Sequence, residues 1–297
     1  MELVYDYMRD DALRHALNNL TRKTFCFDFE DWVTGGYFEG DYIPYSFMED
    51  GKIISNVSAN RMRFMQNGVI KNYIQIGTVM TDEEYRRQGL AGKLMKHVIK
   101  QYEKECDGIY LFGDLSAKDF YRKMMFEEGV QYRYFVKNEL CSTKLYRNEN
   151  ISETFVSVKE LDSDIKRKYL KMVRNSGINS SFEQINKYGL QMFYTADMEN
   201  VYYAADIDCF IVMSEEENDI CLQSVLCKDQ ISIKDVLQRV NKQYDQCRLG
   251  FTPSPGDVKM CIAEKYDGGE DYRFFYLGKE LEAVQNEKLY FPDLSHA

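Results

Sequence analysis

The chain has 297 residues, 44% of them apolar and 14% aromatic, with only four prolines and eighteen glycines. That is enough for two ordinary domains or one large one, and it excludes disorder, low-complexity segments and long linkers as the main organisation. The net charge of −10 counts against nucleic acid as a partner, because phosphate contacts need a basic surface.

No apolar run reaches the roughly 20 residues that span a bilayer. The opening MELVYDYMRDDALRHAL carries acids where a secretory leader carries positive charge. The expectation is a cytoplasmic chain with no membrane partner. The cysteines, Cys26, Cys106, Cys141, Cys209, Cys221, Cys227, Cys247 and Cys261, form no C-x-x-C pair. Such spacing suggests reduced, buried thiols, with neither a disulfide framework nor a metal site.

In chain order, residues 5–26 predict a helix, with Leu13, Ala16, Leu20 and Phe25 at a loose helical period. Residues 27–42 mix glycines, acids and aromatics and read as a loop. Three strands follow, IPYSFM, KIISNVSANRMRFM and VIKNYIQIGTVMT, joined through Asp50-Gly51 and Asn67-Gly68. Asp-Gly and Asn-Gly between β-rich runs are strong hairpin signals, because both turn positions favour positive φ. The period then changes to 3.6: Leu90, Leu94, Val98 and Tyr102 make one apolar stripe. IYLFG after Asp107-Gly108 fits a buried strand, so strand, helix and strand predict a right-handed crossover between parallel neighbours. SAKDFYRKMMF predicts another helix, and QYRYFV and CSTKLYR two more strands.

Polar NENISET at 148–154 marks the expected boundary between a first domain, 1–147, and a second, 154–297. The second half opens with helical patterns at 159–175 and 182–193, the latter led by Ser180-Ser181-Phe182-Glu183 as a capping box. VYYAADIDCFIVM, DICLQSVLC, CRLGFT, VKMCIAE and YRFFYL read as strands, with ISIKDVLQRV as a helix between the second and third. The expected fold class is mixed α/β, with two sheet domains in tandem.

The informative stretch runs from Val79-Met80-Thr81 to Arg86-Arg87-Gln88-Gly89-Leu90-Ala91-Gly92-Lys93. A strand ends, a turn follows, and small residues stand where a helix begins. The first helical turn has unpaired N–H groups and the positive end of the dipole, so it binds phosphate oxygens readily. Small residues let a pyrophosphate approach the backbone, and Arg86 and Arg87 add charged donors. A dinucleotide fold fits poorly, since the preceding strands are hairpin-connected and no G-x-G-x-x-G is present.

Arg86-x-x-Gly89-x-Ala91, after a strand carrying Val79-x-Thr81, resembles the acetyl-CoA signature of the GNAT N-acetyltransferases. Ala117-Lys-Asp-Phe120-Tyr121-Arg-Lys123-Met-Met-Phe126 is similar to that family's second signature. The resemblance covers residues 1–140 and implies an acyl-CoA N-acyltransferase fold, with acetyl-CoA as cosubstrate and no metal. It implies that Val79, Met80 and Thr81 offer backbone groups to the pantetheine arm. The amides of Gln88 to Lys93, with Arg86, would hold the pyrophosphate, and Asp114 and Ala117 would line the donor side. Tyr121 matches the tyrosine that protonates the departing thiolate, as a phenol of reference pKa about 10 can. Among 23 tyrosines, packing is the plainer role for it when the resemblance is set aside.

The same resemblance places Trp32, Tyr37, Asp41 and Tyr42, with Asp28, Glu30 and Asp31, in the acceptor-binding loop. An aromatic and acidic mouth suits a cationic amine, small molecule or peptide; a packed lid fits the residues equally. Asp114 stands where the family often has asparagine, Met125 replaces a common glycine, and Gln75 stands where some members carry a glutamate base. Gln75 cannot take a proton, so the base is unassigned, and a non-catalytic CoA-sensing or protein-interaction module is the alternative. In some multidomain relatives the C-terminal carboxylate enters the active site as base; here FPDLSHA would bring His296 or Ala297, although exposed tails are usually mobile.

Residues 201–251 repeat the order of two strands, helix and strand, which suggests a second, degenerate GNAT-like domain. Its turn, Cys227 to Asp235, lacks both the glycine and the arginine pair, so no second CoA site is expected. That half would cover the acceptor cleft, shape specificity or mediate self-association as a homodimer.

Overall fold

The computed structural model describes residues 1–138, 154–242, 244–270 and 272–297. The expected strand CSTKLYR and the boundary residues 148–153 lie outside them. The first half holds β1 (Glu2–Tyr5), α1 (Asp11–Phe25), α2 (Glu30–Thr34), β2 (Tyr42–Glu49), β3 (Lys52–Gln66), β4 (Val69–Thr81), α3 (Leu90–Tyr102), β5 (Gly108–Asp114), α4 (Lys118–Lys123), β6 (Glu127–Gly129) and β7 (Gln131–Val136). The rest holds β8 (Val156–Ser157), α5 (Ser163–Asn175), β9 (Ser180–Gln184), α6 (Tyr188–Thr195), β10 (Val201–Ala204), β11 (Cys209–Glu216), β12 (Asp219–Leu226), α7 (Ile233–Leu237), β13 (Cys247–Leu249), β14 (Thr252–Pro253), β15 (Cys261–Tyr266), β16 (Tyr272–Leu277) and α8 (Ala283–Asn286).

The hairpins form at the expected turns, with positive φ at Asp50, Gly51, Asn67 and Gly68, and β2–β3–β4 are antiparallel. β5 lies parallel to β4, the crossover made by α3, whose Leu94, Met95, Val98 and Tyr102 pack on Ile43, Val57, Ile76 and Leu111 of the sheet. Burying each such side chain contributes about 1.5–3 kcal/mol.

Two N-terminal boundaries differ from the sequence expectation. Helix α1 starts at Asp11, not at residue 5, because Asp10 accepts from Leu13 N as its cap and residues 2–5 pair with β2. The capping box at 180–183 is a strand instead. Its Phe182 stacks on Phe64 at 4.4 Å and residues 182–184 pair with the end of β3, a burial that no local cap can match. The helix begins only at Tyr188.

The sheets exchange strands. The first runs β1-β2-β3-β4-β5-β16-β6, with β9 on β3 and β14 on β9; the second runs β15-β7-β13-β12-β11-β10-β8. Thus β7, ahead of 147, joins the second sheet, and β16, far behind it, pairs with β5 from Ile109 to Asp114. Within the second sheet β11 and β12 are antiparallel, α7 crosses over, and β13 lies parallel to β12, the same order as β3, β4, α3 and β5.

After α8 the chain threads between the sheets. Tyr290 N donates to Thr252 Oγ1 at 2.8 Å, Phe291 N to Gln131 Oε1 at 3.0 Å and Asp293 N to Gly250 O at 2.8 Å. Leu289 and Phe291 are fully buried with Phe64, Tyr110 and Phe274. Asp293 is held by Arg248 at 3.0 Å and by the Tyr290 hydroxyl at 2.9 Å, and Arg248 beside it keeps its carboxyl below the usual carboxylate range despite burial. The final residues are therefore pinned from both halves.

Candidate active site

Strands β4 and β5 pair only from Tyr73–Gly108 to Ile76–Leu111 and then diverge. The divergence has a local cause. The β3–β4 register shifts between Asn56 and Ser58, a bulge that bends β4 and puts Thr78 at φ +42°, a left-handed conformation rare for a β-branched residue. A buried polar net holds it there: Asn56 Nδ2 donates to Thr78 O at 2.9 Å, Thr78 Oγ1 to Ser58 Oγ at 2.7 Å, and Tyr42 OH lies 2.6 Å from Thr78 Oγ1.

Past the bulge, Met80 O accepts from Ser55 Oγ and Asp82 N donates to Ile54 O, both on the β3 side. Alternation along a strand then turns the main-chain groups of Val79 and Thr81 into the divergence. Met80 itself points its side chain into the core beside α1.

A cleft of about 450 Å3 fills that divergence, lined by Val79, Met80, Thr81, Ala91, Asp114, Ala117, Tyr121 and Ala297 among others. At its rim α3 starts at Gly89, whose φ of +74° suits a residue without Cβ. No side chain caps this helix, whereas Asp10 and Asp162 cap α1 and α5, so its first amides stay open to an anion. Arg86, Arg87, Gln88 and Lys93 are exposed around it, Leu90 is buried and Gly92 lies against Met124. Arg86 donates weakly to Thr81 O at 3.3 Å.

Tyr121 sits in the cleft wall with its ring 5.2 Å from that of Phe275. Burial, with the Asp114 carboxylate nearby, pushes its phenol up to about 12, so it stays protonated near neutrality. Asp114, in the place of the family's asparagine, accepts from Ser116 N at 2.7 Å and caps the turn into α4. Met125 takes φ +69° and is exposed, which explains a glycine preference there. Met125→Gly is expected to stabilise the fold by about 1 kcal/mol, since left-handed backbone costs an L-residue about that much; a thermal melt that falls instead contradicts this.

Gln75 is fully buried and lines neither this cleft nor the chamber beside it. With its amide oriented to satisfy both groups, it donates to Ser295 O and accepts from Ala297 N, each at 2.9 Å. Tyr194 OH donates to His296 O at 2.5 Å, and the His296 ring stacks on Phe112 at 4.0 Å. Ala297 ends up against Gly77, where an added Cβ would meet its carbonyl oxygen at 2.8 Å. The expected mobile tail is thus an anchored one.

Burial drives the His296 imidazole down to about 4. An unfolded chain protonates this histidine near 6.5, so it binds more protons than the native state between those values. Stability should fall as pH drops from about 6.5 to 4, by up to about 1.4 kcal/mol per unit. His296→Phe, which keeps the stack, should flatten that slope in urea melts at stepped pH; an unchanged slope rejects the assignment.

Beside the cleft, and sharing Phe27, Thr78 and Ala297 with it, is a chamber of about 230 Å3. Trp32 and Tyr42, which the resemblance assigns to the acceptor loop, line it. Tyr37 and Asp41 are not among its lining residues: Tyr37 packs between two cores, and Asp41, raised by burial, accepts from Asn186 Nδ2 at 2.9 Å. Glu30 pairs with Arg14 at 2.9 Å and Asp28 with Arg22 at 2.6 Å. Asp28, Glu30 and Asp41 are thus held by partners outside the loop, and among the described residues no acidic side chain lines the chamber, whose mouth is aromatic. Sequence reasoning missed Phe27, Phe29, Leu190, Phe193 and Tyr194. The alternation Phe25-Phe27-Phe29 was visible; the arrival of Phe193 from the other half was not.

Residues 21–129 match the family model described as the acetyltransferase (GNAT) domain. The chain carries a GNAT acetyltransferase domain. No curated protein matches the chain in sequence. Among solved structures, Eis1 from Mycobacterium abscessus aligns over 95% of this chain and 75% of its own at 10% identity and TM-score 0.55. A GCN5-related N-acetyltransferase from Anabaena variabilis aligns over 93% and 72% at 12% identity and TM-score 0.55, and one from Kribbella flavida over 93% and 70% at 15% and 0.52. At such identities the likeness shows the fold, and it extends beyond the GNAT domain to both sheets. Among the described residues no group of three or more His, Cys, Asp or Glu could hold a metal, and no helix is long and apolar enough to cross a membrane.

Proposed function

We propose that the protein transfers an acetyl group from acetyl-CoA to a primary amine, with Tyr121 as general acid. One observation carries this reading: an uncapped helix terminus, the diverging strand, Tyr121 and Ala297 meet around a single cleft.

The residues present suit the donor. Gly89 leaves the first turn of α3 open to a pyrophosphate, Arg86 and Arg87 add positive charge, and Val79 and Thr81 turn main-chain groups toward an extended amide-bearing arm. Acetyl-CoA, when bound, supplies an activated acetyl group. As the acceptor nitrogen forms its bond to that group and the carbon–sulfur bond breaks, the nitrogen becomes acidic and gives its proton to water. The Tyr121 hydroxyl gives its proton to the departing sulfur and regains one from solvent. His296 is a poor base, since burial drives its imidazole down to about 4. Gln75, unable to act as a base, holds the last residues in register.

The test is Tyr121→Phe. Loss of a positioned acid lowers rates by about 100-fold or more, so kcat should fall to that extent in an amine-dependent thiol-release assay, with acetyl-CoA affinity retained. A variant with wild-type kcat assigns Tyr121 to packing alone.

A further inference from the structure

Given transfer to an amine in the donor cleft, the chamber beside it defines what kind of amine can enter. Phe27, Phe29 and Trp32 approach from the first half and Phe193 and Tyr194 from the second, closing the space with ring faces and edges. The polar atoms of these walls are already engaged. Trp32 Nε1 donates to Gly189 O at 2.7 Å, Tyr194 OH to His296 O at 2.5 Å, and Tyr42 OH is shared between Thr78 and Ser58. The nearby acids Asp28, Glu30 and Asp41 are bound to Arg22, Arg14 and Asn186. What faces the chamber is mostly carbon; His296, also in its wall, has a buried Nε2 with no hydrogen-bond partner among the described residues.

We propose that the acceptor is an arylalkylamine, a single primary amine on a short linker to a flat apolar body of one or two rings. Its amine end points toward the donor cleft, and its ring fills a space of about 230 Å3; an apolar cavity of roughly 150 Å3 already holds one benzene. Aromatic walls favour offset or edge contacts with such a ring. A polyamine or an aminosugar would instead bring several further ammonium or hydroxyl groups against walls whose described side chains leave only the buried His296 Nε2 unpaired, which is unfavourable.

Trp32 is the only tryptophan in the sequence and forms part of the wall, so its emission reports occupancy without any turnover. Titrated with 2-phenylethylamine, the wild-type protein should show a saturable change in emission. Acetyl transfer to that amine should exceed transfer to spermidine by about 100-fold in kcat/KM, consistent with the penalty for unpaired buried polar groups. Phe193→Ala should raise its KM about tenfold or more, leaving acetyl-CoA affinity unchanged. Leu190→Phe, which fills the chamber rather than opening it, should do the same and serves if the alanine variant is unstable. Efficient transfer to spermidine with no response of Trp32 to 2-phenylethylamine overturns the assignment while leaving acetyl transfer intact. Failure to bind acetyl-CoA defeats the transfer reading, and the emission titration then decides the chamber by itself.

Discussion

Gly89→Glu should raise the Kd for acetyl-CoA by about 100-fold or more. Gly89 sits in left-handed backbone at the start of α3, so an L-residue there is strained by about 1–2 kcal/mol, and its carboxylate would stand beside the expected pyrophosphate. Like charges about 4 Å apart repel by roughly 4 kcal/mol at an effective dielectric of 20, and each 1.4 kcal/mol is tenfold in affinity. Arg86→Ala should weaken binding less, since it removes one exposed donor and leaves the amides in place. Circular dichroism of each variant separates lost binding from lost folding.

The first sheet was legible because its signals are local. Asp50-Gly51 and Asn67-Gly68 dictate their turns, and Leu90, Leu94, Val98 and Tyr102 dictate the helix that makes the crossover. The start of α3 was legible for the same reason, since Gly89 sets it through its own backbone conformation. What escaped was set by distant partners. Ser180–Glu183 has the letters of a helix cap, but pairing with β3 and the stack of Phe182 on Phe64 override a local preference. Asp28, Glu30 and Asp41 suggested a mouth for a cation because their partners, Arg22, Arg14 and Asn186, cannot be identified from spacing. Strand exchange between the sheets likewise rests on β16 reaching β5 across more than 150 residues of chain. The tail, ordinary as a sequence, owes its position to Arg248, Thr252 and Gln131, each far from it along the chain.

Calorimetric titration of acetyl-CoA into the wild-type protein tests the central claim most directly. The account predicts saturable binding at one site per chain, abolished or severely weakened in Gly89→Glu. Absence of binding to a folded wild-type chain would contradict it and leave a protein-interaction module as the better description of this fold.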